Sequence, residues 1–308
     1  MSSFARRLFV TGLALAIGGS VLFSAKAIVV KLAYRHGVDA TTLIALRMAF
    51  ALPFFAAAYV WSSRGAVPLK PADHAQLVVI GLLGYYAASY LDFLGLQYIS
   101  AALERLILYL NPTLVLLMSA VFLGKRFGRH DLAALALAYG GILLVFLHDV
   151  NLEGEGVAWG AALVFASAVC YAAYLVISGE LVRRLGAIRL TSYAMCVSSV
   201  AVFVTFAFLN PLGALRQPAP VYWLSLFNGL MCTVLPVFAT MLAVERIGAG
   251  RTSLASMVGP VSTIAMAYIF LGETISGWQL AGTALVLTGI YALSRQAIAA
   301  APTRIGKP

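Results

Sequence analysis

Five charged side chains interrupt apolar runs in the first half of the sequence: Lys26, within FSAKAIVVK, then Arg47, Asp92, Glu104 and Arg105. Such a group faces a packed polar interior or a wet cavity, because hydrocarbon does not solvate charge. Three cations against two carboxylates leave one positive charge over when all are ionised. Two kinds of chemistry fit that set. One is a structural ion network, with Lys26 or Arg105 on Glu104 and Arg47 on Asp92. The other is a site that takes an anionic group, a substrate carboxylate supplying the missing negative charge, or that handles a proton through Glu104.

A second group sits in the middle of two apolar runs: Tyr109, Asn111 and Pro112, then Ser256, Met257, Gly259 and Pro260. Proline lacks the N–H that would bond the carbonyl four residues back. The carbonyls of Leu108 and Ser256 are therefore released to meet a substrate, to form hinges, or simply to permit a packing kink. Phe23, Tyr85, Tyr86, Tyr90, Tyr109, Tyr171 and Tyr174 supply aromatic surface that fits a partly apolar substrate, although tyrosines also serve as packing and interfacial belt residues. The expected substrate-binding residues are Lys26, Tyr86, Tyr90, Glu104, Arg105, Tyr109, Asn111, Tyr174 and Ser256, with Arg47, Asp92, Pro112 and Pro260 in gating or structural roles.

Composition fixes the elements that must position these groups. Of 308 residues, 62% are hydrophobic and 10% charged, where a soluble domain carries about 25% charged residues. Apolar stretches of about 20 residues recur, each able to cross about 30 Å of hydrocarbon as a helix. Long non-alternating runs choose helices over a β-barrel. The expected spans are 8–34, 40–61, 74–96, 101–123, 131–148, 157–179, 190–210, 221–243, 251–271 and 276–295. At 1.5 Å rise per residue, Lys26 lies about 8 Å from the midplane and Lys31 about 15 Å, at the hydrocarbon edge. Lys31 can extend its ammonium into water and reads as an anchor. Arg47, Asp92, Glu104 and Arg105 fall about 5 to 11 Å from the midplane on the same side as Lys26.

Basic residues in short loops set orientation. Arg6, Arg7, Arg64, Lys70, Lys125, Arg126, Arg129, Arg183, Arg184, Arg189, Arg246, Arg251, Arg295, Arg304 and Lys307 fall on the N-terminal side, against Arg35 and Arg216 opposite. Both termini are thus expected in the cytoplasm of a bacterial-type inner membrane. The net charge of +10 resides at helix ends rather than on one face or tail, which argues against a nucleic-acid partner. Cys170, Cys196 and Cys232 lie inside spans and read as small hydrophobes. MSSFARRLFVTG begins like a signal peptide, but its apolar run continues past a typical h-region, so a retained first helix is expected.

The sequence also repeats itself. LGLQYISAALERLILYLNPTLVLLMSAVFLGKRF resembles LAVERIGAGRTSLASMVGPVSTIAMAYIFLGETI, and an offset of 148 pairs Pro112 with Pro260, Phe122-Leu123-Gly124 with Phe270-Leu271-Gly272, Gly141-Ile142 with Gly289-Ile290, and Gly81-Leu82 with Gly229-Leu230. Five helices per half, an odd number, make the halves cross the membrane in opposite directions. The fold class is therefore all-α membrane protein, ten helices in two inverted five-helix repeats, residues 1–150 and 151–308. Such repeats flank a central site in secondary transporters. At the same offset, Lys26, Arg47, Asp92, Glu104 and Arg105 correspond to Tyr174, Met195, Thr240, Thr252 and Ser253. The charged layer belongs to the first half alone.

GSVLFSAKAIVVKLAYRHGVDATTLIALR, LERLILYLNPTLVLLMSAVFLGKRF and SMVGPVSTIAMAYIFLGETISGWQLAGTALVLTGI are similar to the EamA-type transporters of the drug/metabolite transporter superfamily. The resemblance implies ten helices, a central cavity and movement of small metabolites, amino acids among them, with export favoured. It also draws Glu273, in FLGE, into a gating role; the first half carries Lys125 at the matching position. His36, His74, His130 and His148 lie in loops or at helix ends, and no H-E-x-x-H, G-x-S-x-G or P-loop motif is present, so neither an enzyme nor an ATP-driven pump is expected. The expectation is a secondary transporter of a small organic metabolite such as an amino acid, with no cofactor. Its partners are the substrate, membrane lipids and protons as a coupling ion. The alternatives are efflux of cationic or aromatic drugs, or a non-transport channel or receptor.

Overall fold

The computed structural model describes residues 3–123, 133, 136–137, 139–145, 147, 156–247, 252, 255–256 and 258–300. Among them all regular structure is helical. Helix α1 covers Ser3–Tyr34 and α2 Ala40–Ser63. The intervening turn ends at Asp39, whose carboxylate accepts from the Thr42 N–H at 2.9 Å and so caps α2. Helix α3 spans Pro71–Gly95, opening on a proline whose missing N–H costs nothing in the first turn. Ser100 caps α4, Ala101–Leu108, by accepting from the Leu103 N–H at 3.1 Å. Helix α5 is Asn111–Leu123, α6 Val157–Leu185 and α7 Ala187–Leu209. Helix α8 runs through Ala219–Gly229, a π-helical turn at Leu230–Val234, and Leu235–Ile247. Helix α9 is Val258–Leu271 and α10 Gly277–Ala300.

Six of the described helices are long and apolar enough to cross a membrane: Phe9–Tyr34, Ala40–Ser63, Pro71–Gly95, Val157–Ser178, Ala187–Leu209 and Ala219–Ala243. They answer the expected spans one, two, three, six, seven and eight. Span four is not one helix. It breaks at Tyr109-Leu110 into α4 and α5, just before Asn111-Pro112, because Pro112 cannot extend the hydrogen-bond ladder. Seven of the eighteen residues of 131–148, together with Lys125 and Met257, lie outside the described residues. The main apolar core gathers Leu43, Ile44 and Met48 of α2, Phe93 of α3 and Met195 of α7.

The 148-residue offset reappears in the backbone. A π-helical turn occupies Leu82–Ala87 in α3 and another Leu230–Val234 in α8, beginning at matched positions. The glycine before each is a close-approach point. A Cβ on Gly81 would sit 2.8 Å from the Ala194 carbonyl of α7, and one on Gly229 would sit 2.9 Å from the Arg47 carbonyl of α2. Helix α3 therefore lies against α7 as α8 lies against α2.

Gly141 and Gly282 bring two helices into close contact: a Cβ on either would lie 2.6 Å from the other's carbonyl oxygen. Small residues let backbones approach closely and gain van der Waals contact in lipid, where apolar burial supplies no drive. Gly18 and Gly140 face open space instead. Gly282→Val forces these helices apart and should cost about 1–3 kcal/mol, seen as a lowered unfolding temperature of purified protein; Gly140→Ala, changing open space, should leave it unchanged.

Candidate substrate cavity

A cavity of about 330 Å³ opens among the helices, lined by Phe23, Lys26, Arg47, Tyr85, Ser89, Asp92, Arg105, Tyr109, Asn111, Ser167, Tyr171, Met195, Thr240 and Ser256. Its volume lies at the lower end of the range for small-molecule sites, and its mix of aromatic walls with a few polar groups is usual for them. Met195 and Thr240, the repeat counterparts of Arg47 and Asp92, join those two residues in its wall.

The charged layer assembles around Lys26. Its Nζ lies 2.5 Å from Asp92 Oδ2 and 3.0 Å from Glu104 Oε1, and all three side chains are at most 7% exposed. One ammonium thus meets two carboxylates in a low-dielectric interior, tying α1 to α3 and α4. Glu104 has no exposure and stands behind the wall of the cavity rather than in it.

The arginines are arranged differently from the expected ion network. Arg47 does not pair with Asp92: its Nη2 donates to Ser89 Oγ at 2.9 Å and its guanidinium stacks 4.7 Å from the Phe93 ring centre. Arg105 donates from Nη2 to Ser24 Oγ at 2.9 Å and lies 5.2 Å from the ring centres of both Phe23 and Tyr109. Among the described residues neither arginine has a carboxylate partner. Both Nε atoms are buried without a hydrogen-bond partner, as are Asp92 Oδ1 and Asn111 Oδ1. Lys26 consumes both acids, so the surplus charge resides on the two guanidiniums, and both line the cavity.

The two proline-released carbonyls are occupied rather than exposed. The Leu108 carbonyl accepts from Asn111 Nδ2 at 2.9 Å, within its own chain segment. The Ser256 carbonyl accepts from Ser20 Oγ of α1 at 2.7 Å and from the Tyr109 hydroxyl. The same missing N–H is answered locally in one half and, in the other, by α1 and the break between α4 and α5.

Of the expected binding residues, Lys26, Arg105, Tyr109, Asn111 and Ser256 line the cavity, and so do Arg47 and Asp92. Tyr86, Tyr90 and Tyr174 do not. The Tyr86 hydroxyl is 2.6 Å from Thr205 Oγ1, and that of Tyr90 is 3.5 Å from Thr41 Oγ1, on the flanks facing α7 and α2. Tyr174 is buried behind Tyr85, their hydroxyls 3.1 Å apart. Pro260 is buried in α9; Pro112 has its backbone in α5, its side chain lying outside the described set. Glu273 stands apart from the cavity. Its Oε1 accepts the Ala101 N–H at 3.2 Å and lies 3.6 Å from Lys31 Nζ. Lys31 is therefore an ion-pair partner, not merely an anchor. Ser20, Ser24 and Ser89, which hold the site's charges and carbonyls, escaped sequence reasoning because a serine in an apolar helix carries no distinguishing spacing.

A bundle of apolar helices around a largely apolar cavity that holds buried charge is the architecture of a multi-pass membrane protein with an internal site. The EamA-like transporter family matches residues 10–147 and again 158–295, and the chain belongs to that family. Both ends of the second match fall 148 positions after the first (158 − 10 and 295 − 147). Uncharacterized transporter YcbK of Bacillus subtilis is 30% identical over 283 residues, covering 88% of this chain and 90% of its own. A probable terminal-alkyne amino-acid exporter of Streptantibioticus cattleyicolor is 23% identical, covering 74% and 76%. A probable amino-acid metabolite efflux pump of Salmonella typhimurium is 26% identical, covering 62% and 66%. A solved crystal structure at 18% identity superposes with a TM-score of 0.66, covering 94% of this chain and 99% of its own, and shares the fold. The protein is a multi-pass membrane transporter of the drug/metabolite type.

Removing one partner from a buried ion cluster strands the others. Lys26→Met leaves Asp92 and Glu104 facing each other without a cation and should destabilise the protein by about 3–5 kcal/mol, measured by thermal unfolding in detergent. Lys26→Met with Asp92→Asn and Glu104→Gln together should recover most of that loss.

Proposed function

We propose that this transporter moves a small zwitterionic or anionic metabolite, an amino acid or a close relative, by alternating access across a bacterial inner membrane, with export as its working direction. The observation that carries this reading is the pair of arginines lining the cavity without a carboxylate partner among the described residues. A surplus of positive charge attracts a carboxylate and repels an organic cation, which weighs against the cationic-drug alternative. Aromatic and apolar walls leave room for a side chain beside the charged groups. The names of two relatives, an amino-acid exporter and an amino-acid metabolite efflux pump, support the same substrate class.

Ten spans in two inverted halves, 1–150 and 151–308, form the frame of this mechanism. Support comes from the double family match, the matched π-helical turns and the exchanged contacts of Gly81 and Gly229. With an odd number of spans in each half, the repeats exchange inward-open and outward-open shapes around one site. Both termini lie in the cytoplasm in this arrangement, and the charged layer lies toward the outside. Glu104, bracketed by Lys26, Asp92 and Arg105, is the candidate proton carrier.

Two measurements test the reading. Reconstituted protein should show saturable counterflow of a labelled amino acid; unsaturable flux at channel rates would replace the carrier with a pore. Imposing a pH gradient should change the rate in wild type but not in Glu104→Gln, and retained pH dependence in that variant would move the coupling proton elsewhere.

A further inference from the structure

Arg105 differs from the other cations of the cavity in what it is joined to. Lys26 is already held by two carboxylates, and the contacts of Arg47, Ser89 and Phe93, both lie on α3. Arg105 instead reaches helix α9 through a relay. Its Nη2 donates to Ser24 Oγ, and Ser24 has one hydroxyl proton for two acceptors: the Ser20 carbonyl of its own helix at 2.8 Å and the Gly259 carbonyl of α9 at 3.0 Å. Gly259 is bare where this happens. A Cβ there would lie 2.9 Å from Arg105 Nη2 and would also meet the Tyr109 hydroxyl, so only glycine lets α9 approach the guanidinium this closely.

A hydroxyl is a weak partner for a guanidinium. A carboxylate offers two charged oxygens that match the planar fork, and it binds about twice as strongly as a neutral acceptor. A ligand carboxylate entering the cavity therefore outcompetes Ser24 for Arg105. Losing the donor that polarises it, Ser24 turns fully to the Ser20 carbonyl and leaves Gly259.

We propose that Arg105 is the carboxylate anchor of the cavity, and that filling it switches Ser24 from Gly259 to Ser20 and so loosens α9 from α1. This deepens the transporter reading above: it assigns one residue to substrate recognition and names the contact by which recognition reaches a helix that must move.

The test uses the purified full chain in nanodiscs and three compounds with the same isobutyl body: leucine, 4-methylpentanoate and leucinamide. Calorimetry should show the two carboxylates binding wild type at least about tenfold more tightly than the amide, as expected for a hydrogen bond to a charged group. Arg105→Gln should abolish that preference, while Gly140→Ala, away from the cavity, should keep it. Arg105→Lys, which retains charge without the fork, should keep only part and carries the comparison if the glutamine variant misfolds. Leucine should also raise amide hydrogen exchange across 258–266 in wild type and leave it unchanged in Arg105→Gln. Full carboxylate preference in Arg105→Gln, or none in wild type, overturns the anchor. Lost preference without any change in exchange overturns the release of α9. Carboxylate binding without flux in proteoliposomes overturns the transport reading and leaves the anchor standing.

Discussion

The interaction on which the interior depends is one ammonium shared by two carboxylates. Lys26 sits between Asp92 and Glu104, all of them buried. Charges withdrawn from water hold only when matched nearby, so the depth and rotation of α1 relative to α3 and α4 are set by this cluster. A consequence follows for everything around it. With both acids committed to the lysine, Arg47 and Arg105 must find neutral partners, and they take serine hydroxyls and aromatic faces. The polarity of the cavity is therefore a by-product of how the cluster closes. Its positive surplus is concentrated on two planar forks rather than spread over three cations.

The second constraint is the backbone of α9. Pro260 leaves the Ser256 carbonyl without its usual donor, and Ser20 and Tyr109 supply the bonds that the helix itself cannot. In the first half, Asn111 answers the equivalent carbonyl of Leu108 from within the same segment. One repeat is thus self-contained at its proline, and the other is laced to its neighbours. This asymmetry accompanies the restriction of charge to the first half, and both give the two repeats different parts to play around the common cavity.

Much of this was legible in the sequence, for identifiable reasons. Long apolar runs admit helices only, and a charge within one must be matched, so the membership of the layer around Lys26 followed from residue types and depth. Of its pairings, only that of Lys26 with Glu104 did. Whether Arg47 meets Asp92 or Ser89 depends on helix rotation, which spacing leaves undetermined at the scale of one side chain. The same ambiguity left open which of Tyr86, Tyr90 and Tyr174 reach the cavity wall; for Tyr86 and Tyr90 the reason is that a 3.6-residue period fails to carry a face past a π-helical turn, and Tyr86 lies inside one. Proline marked the break in span four because its chemistry is independent of context. Ser20, Ser24 and Ser89 left no mark, since their role comes only from what stands opposite. Lys31 was readable as interfacial, whereas its partner Glu273 lies at the far end of the chain and is met only after folding.

The matched π-helical turns also have a bearing on sequence length. Each is a place where the helix accommodates one residue more than an α-helical turn. Deleting a single residue within Leu82–Ala87 would let α3 close to a regular helix, and because the turn already absorbs the extra residue, the segments on either side would keep nearly the facing they have. Ser89 and Asp92 would stay at the cavity, while the residues of the turn itself would repack. A residue added to a regular stretch of the same helix has no such outlet and would rotate all that follows by about 100°. The turn is therefore the place where α3 tolerates a change of length, and homologues that lack its extra residue would still present the same face beyond it.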